Sequence, residues 1–201
     1  MKSALYLFLT LGSFLNALCQ TSEDYFNKGL EKYRHRDYSG AIQDYSKAIE
    51  IDSNNATAYN NRGHTKYQLQ DFTGAIEDYS RAIAINPKYS TAYKSRGDAK
   101  SQILDYKGSV EDYTAAINLN PMYSIAYKNR GQAKNELQDY TGAIGDFTKV
   151  IELSPKDGGA YYSRGVAKIA MDQKDGDCLD LYAAKKLGYS RAEAKIKQHC
   201  N

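Results

Sequence analysis

Residues 56–87 read ATAYNNRGHTKYQLQDFTGAIEDYSRAIAINP, and residues 90–121 read STAYKSRGDAKSQILDYKGSVEDYTAAINLNP. Laid over one another, Tyr59 meets Tyr93, Gly63 meets Gly97, Asp78 meets Asp112 and Pro87 meets Pro121, always 34 residues apart. The register continues in both directions. Gly29, Gly131 and Gly165 fall on the glycine row, Tyr25, Tyr127 and Tyr161 on the tyrosine row, and Asp44, Asp146 and Asp180 on the aspartate row. Arg62, Arg96, Arg130 and Arg164 form a fourth row, with Lys28 in the first copy. The three prolines, Pro87, Pro121 and Pro155, share a fifth, where Ser53 stands first. Five rows in phase mean one unit copied five times.

Each copy predicts two helices. Tyr59, Gly63 and Tyr67 recur at i, i+4 and i+8, which is helical spacing. Asp71-Phe72-Thr73-Gly74 interrupts it, and Ala75, Ile76, Tyr79, Ala82 and Ile83 restore a helical face. Asn86-Pro87 ends the second helix, because proline disfavours helical backbone in the residue before it. Asp37, Asp71, Asp105 and Asp139 stand at the turns between helices and read as caps. Gly63 within the pair, and Ala75 and Ala82 between pairs, let helices approach closely; Ser109 and Val150 depart from the small rows. One helix pair cannot bury its apolar face alone, so stability must come from stacked neighbours.

Tyr59-x-x-Arg62-Gly63, then Ala75-x-x-x-Tyr79, then Pro87 resembles the tetratricopeptide repeat, over roughly residues 22 to 189. The resemblance implies an all-α, right-handed superhelical solenoid of five helix-turn-helix repeats, at about 22–55, 56–89, 90–123, 124–157 and 158–189. A C-terminal capping helix would follow over 190–201. Two rows depart from the family pattern: arginine replaces leucine before the glycine, and Lys32, Lys66, Lys100, Lys134 and Lys168 stand where an aromatic is common. The arginines are expected to pair with the aspartate row, within a repeat or across to its neighbour; a ladder reading an anionic ligand is the alternative.

The resemblance also implies a concave groove lined by the first helix of each pair, suited to an extended or helical peptide. Its rows are Phe26, Asn60, Lys94, Lys128 and Tyr162; Leu30, His64, Asp98, Gln132 and Val166; Tyr33, Tyr67, Ser101, Asn135 and Ile169; and Glu23, Thr57, Thr91, Ile125 and Gly159. These rows vary where the scaffold rows repeat. Asn60, His64, Tyr67, Lys94, Asp98, Lys128, Gln132 and Tyr162 are therefore the candidate partner-binding residues. Lys94 and Asn129 match two places of the clamp with which some relatives hold a peptide carboxylate, but Asp98, Gly159 and Ser163 break it. Lys94 and Lys128 would either attract an acidic segment or stand solvated.

Composition bounds the rest. The 201 residues are 42% hydrophobic and 25% charged, with a formal charge of +3, which excludes a disordered tail, a polytopic membrane protein and a strongly polyanion-directed one. Residues 1–19 read as a secretory signal peptide: Lys2, an apolar run from Ala4 to Leu15, and Ala17-Leu18-Cys19 before cleavage at Gln20. The run is shorter than the roughly 20 residues that span a bilayer. An uncleaved anchor and lipidation at Cys19 are the alternatives. Export to a bacterial periplasm, cell surface or medium then favours a disulfide between Cys178 and Cys200, against a metal site with His199. The fifth copy decays, and Ser190 should cap a closing segment, Arg191 to His199, that packs through Ala192, Ala194 and Ile196.

No HExxH, phosphate-binding glycine loop or GxSxG is present. The expected function is a non-catalytic scaffold for a protein or peptide, without cofactor, metal or nucleic acid. Membrane contact would come only through Cys19 lipidation or the basic tail of Lys185, Lys186, Arg191, Lys195 and Lys197. The alternative is a structural or assembly subunit of a cell-envelope complex, bound by its outer face.

Overall fold

The computed structural model describes residues 20–171 and 174–200, so the signal peptide expected over residues 1–19 lies outside the described residues. All described elements are α-helices, and none is long and apolar enough to cross a membrane. The chain divides into two compact units between Ile85 and Asn86.

The first unit holds α1 (Ser22–Arg34), α2 (Tyr38–Ile51), α3 (Ala56–Gln68) and α4 (Phe72–Ile85). α1 packs on α2, α2 on α3, and α3 on α4. Thr21 opens α1 with a reciprocal cap: its hydroxyl accepts from the Asp24 N–H, and the Asp24 carboxylate accepts from the Thr21 N–H. Asn55 opens α3 by accepting from the Ala58 N–H. Asp37 and Asp71 accept from the N–H groups of Gly40 and Gly74, the capping role read from the sequence. The turns are tight enough to force Arg36 and Gln70 to φ of 63°, left-handed backbone that costs a residue with a side chain about 1–2 kcal/mol. The N–H groups of Asp37 and Asp71 offset this by donating to the carbonyls of Lys32 and Lys66, at 2.9 and 3.0 Å, closing the end of each helix.

The second unit continues the pattern with α5 (Ser90–Gln102), α6 (Tyr106–Leu119), α7 (Ser124–Glu136), α8 (Tyr140–Leu153), α9 (Gly158–Ala170), α10 (Lys174–Lys186) and α11 (Arg191–His199). Each helix packs on the next, and α7 also touches α5 and α9. Asp105 and Asp139 repeat the cap on Gly108 and Gly142, and Asp157 opens α9.

One contact sets the spacing inside the first four pairs. Tyr45, Tyr79, Tyr113, Phe147 and Leu181 form a fully buried row on the second helices. Four of them press on the glycine row: a Cβ on Gly29, Gly63, Gly97 or Gly131 would meet ring atoms of Tyr45, Tyr79, Tyr113 or Phe147 at 2.6, 3.1, 2.8 and 3.0 Å. The glycines are therefore required by the approach of an aromatic ring to the helix backbone. Between pairs, Ala48 packs with Ala58 in the first unit and Ala116 packs with Ala126 in the second, all of them fully buried. Ser109 is buried in the alanine row because its hydroxyl donates to the Tyr106 carbonyl.

At the C-terminus, α11 lies against α10 through Ala192 and Ile196. Two details differ from the sequence reading. Ala194 faces solvent, two residues from both Ala192 and Ile196 and so about 200° round the helix from them, and Ser190 makes no side-chain cap because its own backbone is already helical. Cys178 and Cys200 are joined as a disulfide with Cα atoms 5.8 Å apart and a sequence separation of 22. Closing a loop of that length removes about 3 kcal/mol of unfolded-chain entropy.

Two glycine substitutions should move stability in opposite directions. Gly97→Ala drives a methyl into Tyr113 and should destabilise by about 1–3 kcal/mol. Gly145→Ala, in α8 with nothing within 4 Å of the new methyl, should stabilise by about 0.5–1 kcal/mol. Urea unfolding of the two variants beside the wild type measures both.

Candidate functional site

The repeated charges are consumed by the scaffold. Arg62 grips Asp78 with two parallel bonds, Nε to Oδ2 at 2.9 Å and Nη2 to Oδ1 at 2.6 Å. Arg96 on Asp112, Arg130 on Asp146 and Arg164 on Asp180 repeat the same two distances. Pairing is thus within a repeat, from its first helix to its second. The lysine row closes on the same carboxylates: Lys66, Lys100 and Lys134 stand 2.9 Å from their aspartates and Lys168 stands 2.7 Å away. Each arginine also lies over the tyrosine one turn before it, 5.4 to 5.7 Å from the ring centroid. A further nitrogen reaches the preceding repeat: Arg62 to Ser46, Arg130 to Thr114 and Arg164 to Thr148. Burial works against the Arg62 charge, but Asp78 outweighs it and holds the guanidinium above its ordinary pKa. The first repeat is simpler. Lys28 turns to the Tyr25 ring, and Asp44 keeps only Lys32, in a 2.7 Å ion pair.

The variable rows split by unit. In the first unit several of them are aromatic rings packed on one another. Tyr33 packs between Tyr38 and His64, each at 5.5 Å, and Tyr67 meets Phe72 edge-on at 5.3 Å. Leu30, Tyr33, Tyr45, Asn61 and His64 line a largely apolar cavity of about 100 Å³. Asn60, one turn before His64, offers its Nδ2 to the Asn61 Oδ1 at 3.4 Å. Its own Oδ1 is buried with no hydrogen-bond partner.

In the second unit the corresponding side chains bind one another. Lys94 pairs with Asp98 at 2.6 Å. The Asp98 Oδ1 also accepts from the Tyr113 hydroxyl at 2.9 Å and from the Asn129 amide at 2.8 Å. Lys128 pairs with Asp157 at 2.9 Å, and the same carboxylate accepts from the Ala160 N–H. Lys94 and Lys128 are therefore each ion-paired with a carboxylate of their own unit while remaining part-exposed. Tyr162 packs at a tilt against Tyr189, with ring centroids 5.0 Å apart, and Gln132 is exposed.

Sequence reasoning missed Asp157, Tyr189, Asn61 and Tyr45. Asp157 stands three repeats after the Asn55 cap, but Tyr89 and Tyr123 hold that position in between, so the register neither marked it as a cap nor joined it to Lys128. Tyr189 lies in the decayed fifth copy, where the register no longer predicts a neighbour.

Burial presses the Asp157 carboxyl upward, but Lys128 and the backbone N–H of Ala160 outweigh it, so its pKa lies below the ordinary 3.8. Its contribution to stability is present above the unfolded pKa and is lost as the pH falls through the depressed folded value.

The C-terminal charges are also partly paired, Glu193 standing 3.3 Å from Lys185 and 3.7 Å from Lys197. The sulfurs of Cys178 and Cys200 are bonded to each other, so a metal site with His199 has no thiolate to use. Among the described residues no other group of His, Cys, Asp and Glu is placed to hold a metal ion.

Family models described as TPR repeat and tetratricopeptide repeat match residues 29–70, 56–89 and 95–167. The chain belongs to the tetratricopeptide repeat family. Among solved structures it is similar to a MamA protein, at 25% identity and a TM-score of 0.80 over 86% of this chain and 94% of that one. YrrB, described as a TPR protein with an unusual peptide-binding site, aligns at 20% identity and a TM-score of 0.79, over 87% and 91%. MamA from Desulfovibrio magneticus RS-1, from residue 41 to its end, aligns at 17% and 0.76, over 87% and 98%. No curated protein matches the sequence. Family and fold are typically those of non-catalytic interaction scaffolds, and they support a protein-interaction role for this chain.

Removing a gripped carboxylate should cost far more than removing an exposed charge. Asp146→Ala leaves Arg130 and Lys134 half-buried and unpaired, and should lose about 3–5 kcal/mol in urea unfolding. Lys149→Ala, which breaks only the exposed pair with Glu152, should change stability by less than about 1 kcal/mol. Lys128→Met should raise the Asp157 pKa toward the ordinary carboxylate range, read from the pH dependence of its carboxyl carbon resonance; an unmoved titration would refute the pairing.

Proposed function

We propose that this chain is an exported, non-catalytic scaffold that holds a peptide or protein segment against the variable side chains of its first helices. In the first unit these are Asn60, His64 and Tyr67. In the second they are Asp98, Gln132 and Tyr162, with Lys94 and Lys128 acting as ion-paired parts of the surface. The observation that carries the reading is the division of labour between rows. The residues that recur with the repeat are spent on buried contacts, whereas the residues that change from copy to copy hold the exposed His64 and Gln132 and the unpartnered Asn60 oxygen. The YrrB likeness adds that this fold carries a peptide-binding site in another protein. Export is supported by the signal-like residues 1–19 and by the Cys178–Cys200 disulfide, which suits an oxidising compartment.

A second reading, a structural or assembly subunit of a cell-envelope complex contacted on its outer face, has its own support in α10. There Leu179 is 72% exposed and Tyr182 is 49% exposed. Large apolar groups left in water mark contact surfaces when they cluster.

Affinity capture from the native extract separates the two. His64→Arg with Gln132→Arg should lower partner recovery at least tenfold, while Leu179→Glu with Tyr182→Glu should leave it unchanged. The reverse pattern would hand the function to the outer face.

A further inference from the structure

Four positions occur in both units and are filled differently. Phe26, Leu30, Tyr45 and Asn61 stand 68 residues before Lys94, Asp98, Tyr113 and Asn129, two repeats apart. In the second unit the Asp98 carboxylate accepts from the Tyr113 hydroxyl at 2.9 Å and from the Asn129 amide at 2.8 Å, and Lys94 supplies its counter-charge at 2.6 Å. The first unit keeps both donors and loses both charges together: Leu30 replaces the aspartate and Phe26 the lysine.

The donors therefore remain without their acceptor. Among the described residues nothing accepts from the Tyr45 hydroxyl or from the Asn61 Nδ2, whose own Oδ1 is taken by Asn60. Leu30, Tyr45 and Asn61 instead line the cavity of about 100 Å³, with Tyr33 and the exposed His64. Tyr45 is 1% exposed, and burial pushes its phenol up to about 12, so a protonated donor stands on the inner wall. A buried donor left without an acceptor is unfavourable.

The two units together restrict the occupant. An aliphatic group would leave both donors unsatisfied. A carboxylate would meet the same donors as Asp98 but no lysine, because Phe26 packs against the Tyr45 ring at 5.8 Å in the lysine's place, and a desolvated charge without a cation is strongly disfavoured. A main-chain carbonyl, flanked by its own chain, does not reach a donor buried this deeply. A side-chain carboxamide has the outline of the aspartate carboxylate without its charge, and its oxygen accepts two hydrogen bonds.

We propose that this cavity takes one Asn or Gln side chain of the bound segment, its carboxamide oxygen accepting from the Tyr45 hydroxyl and the Asn61 Nδ2. The assignment rests on the scaffold reading above and names the chemistry of the segment at one position.

The test uses a displayed library of random peptides, selected on protein expressed from the full sequence at about pH 8, above the range in which histidine side chains ordinarily titrate. The expected result is enrichment of Asn or Gln at one fixed position, with at least tenfold weaker binding when that residue is changed to Leu or to Asp or Glu. Tyr45→Phe, which copies the natural Phe147 of the same row, should keep the wild-type urea midpoint within error of a ring-conserving change and weaken the peptides roughly three- to tenfold, the effect of one lost neutral hydrogen bond. Phe26→Lys restores the counterpart of Lys94 and should move the preference from Gln to Glu, a gain that an unfolded variant cannot produce. Phe26→Lys with Leu30→Asp copies the second unit, fills the site from within and should abolish the preference. Peptides without a preferred carboxamide position, a wild-type preference for Leu or Glu there, or undiminished binding to Tyr45→Phe would overturn the site and leave peptide binding standing. A library that yields no binder would overturn the peptide reading and the site together.

Discussion

A carboxylate shut between an arginine fork and a lysine ammonium recurs at Asp78, Asp112, Asp146 and Asp180, each almost fully buried. Burying a carboxylate alone is strongly unfavourable, and even a good pair returns little net stability over an apolar replacement. What the grip supplies is position. Two bonds at 2.9 and 2.6 Å hold one helix against the other at a single register, and the arginine, over the ring of its tyrosine, extends to a hydroxyl of the preceding repeat. The ring-on-glycine contact next to it then fixes the distance between helices. An aromatic at the lysine positions would bury more apolar surface, but it would leave the second side of the carboxylate unsatisfied.

The first repeat shows what happens when the grip is loosened. Lys28 cannot make the two-pronged contact and goes to the face of Tyr25, leaving Asp44 to Lys32 alone. Tyr45 is held by Gly29 as firmly as its counterparts are. The ring and the glycine therefore hold the pair while the charge pattern varies, which separates the contact that sets distance from the contact that sets register.

Polar side chains on the variable rows have two fates, and the difference bears on function. Around Asp98 they satisfy one another and make a closed, neutralised surface. Around Leu30 they are interrupted by an apolar side chain, and a cavity and an unpartnered acceptor are left. A row that alternates between satisfied and unsatisfied groups discriminates between ligand positions better than one that is uniformly charged, because unpaired polar groups penalise the wrong occupant.

The five-fold register, the helix pairs, the aspartate caps and the need for small residues were legible in the sequence. Each depends on contacts within one repeat unit, and periodicity exposes those directly. The partners of Lys94 and Lys128 were not legible. Asp98 is one turn from Lys94, but Asp157 is 29 residues from Lys128, and that distance closes only when α7 and α9 come together. The tertiary structure alone decided that both lysines are ion-paired, that the arginines pair inside their own repeats, and that replacing an aspartate by Leu30 leaves a cavity. The physical reason is that a side chain's charge and shape are written locally, whereas its partner is chosen by which helix faces it, and several carboxylates of the same row compete for that place in the sequence.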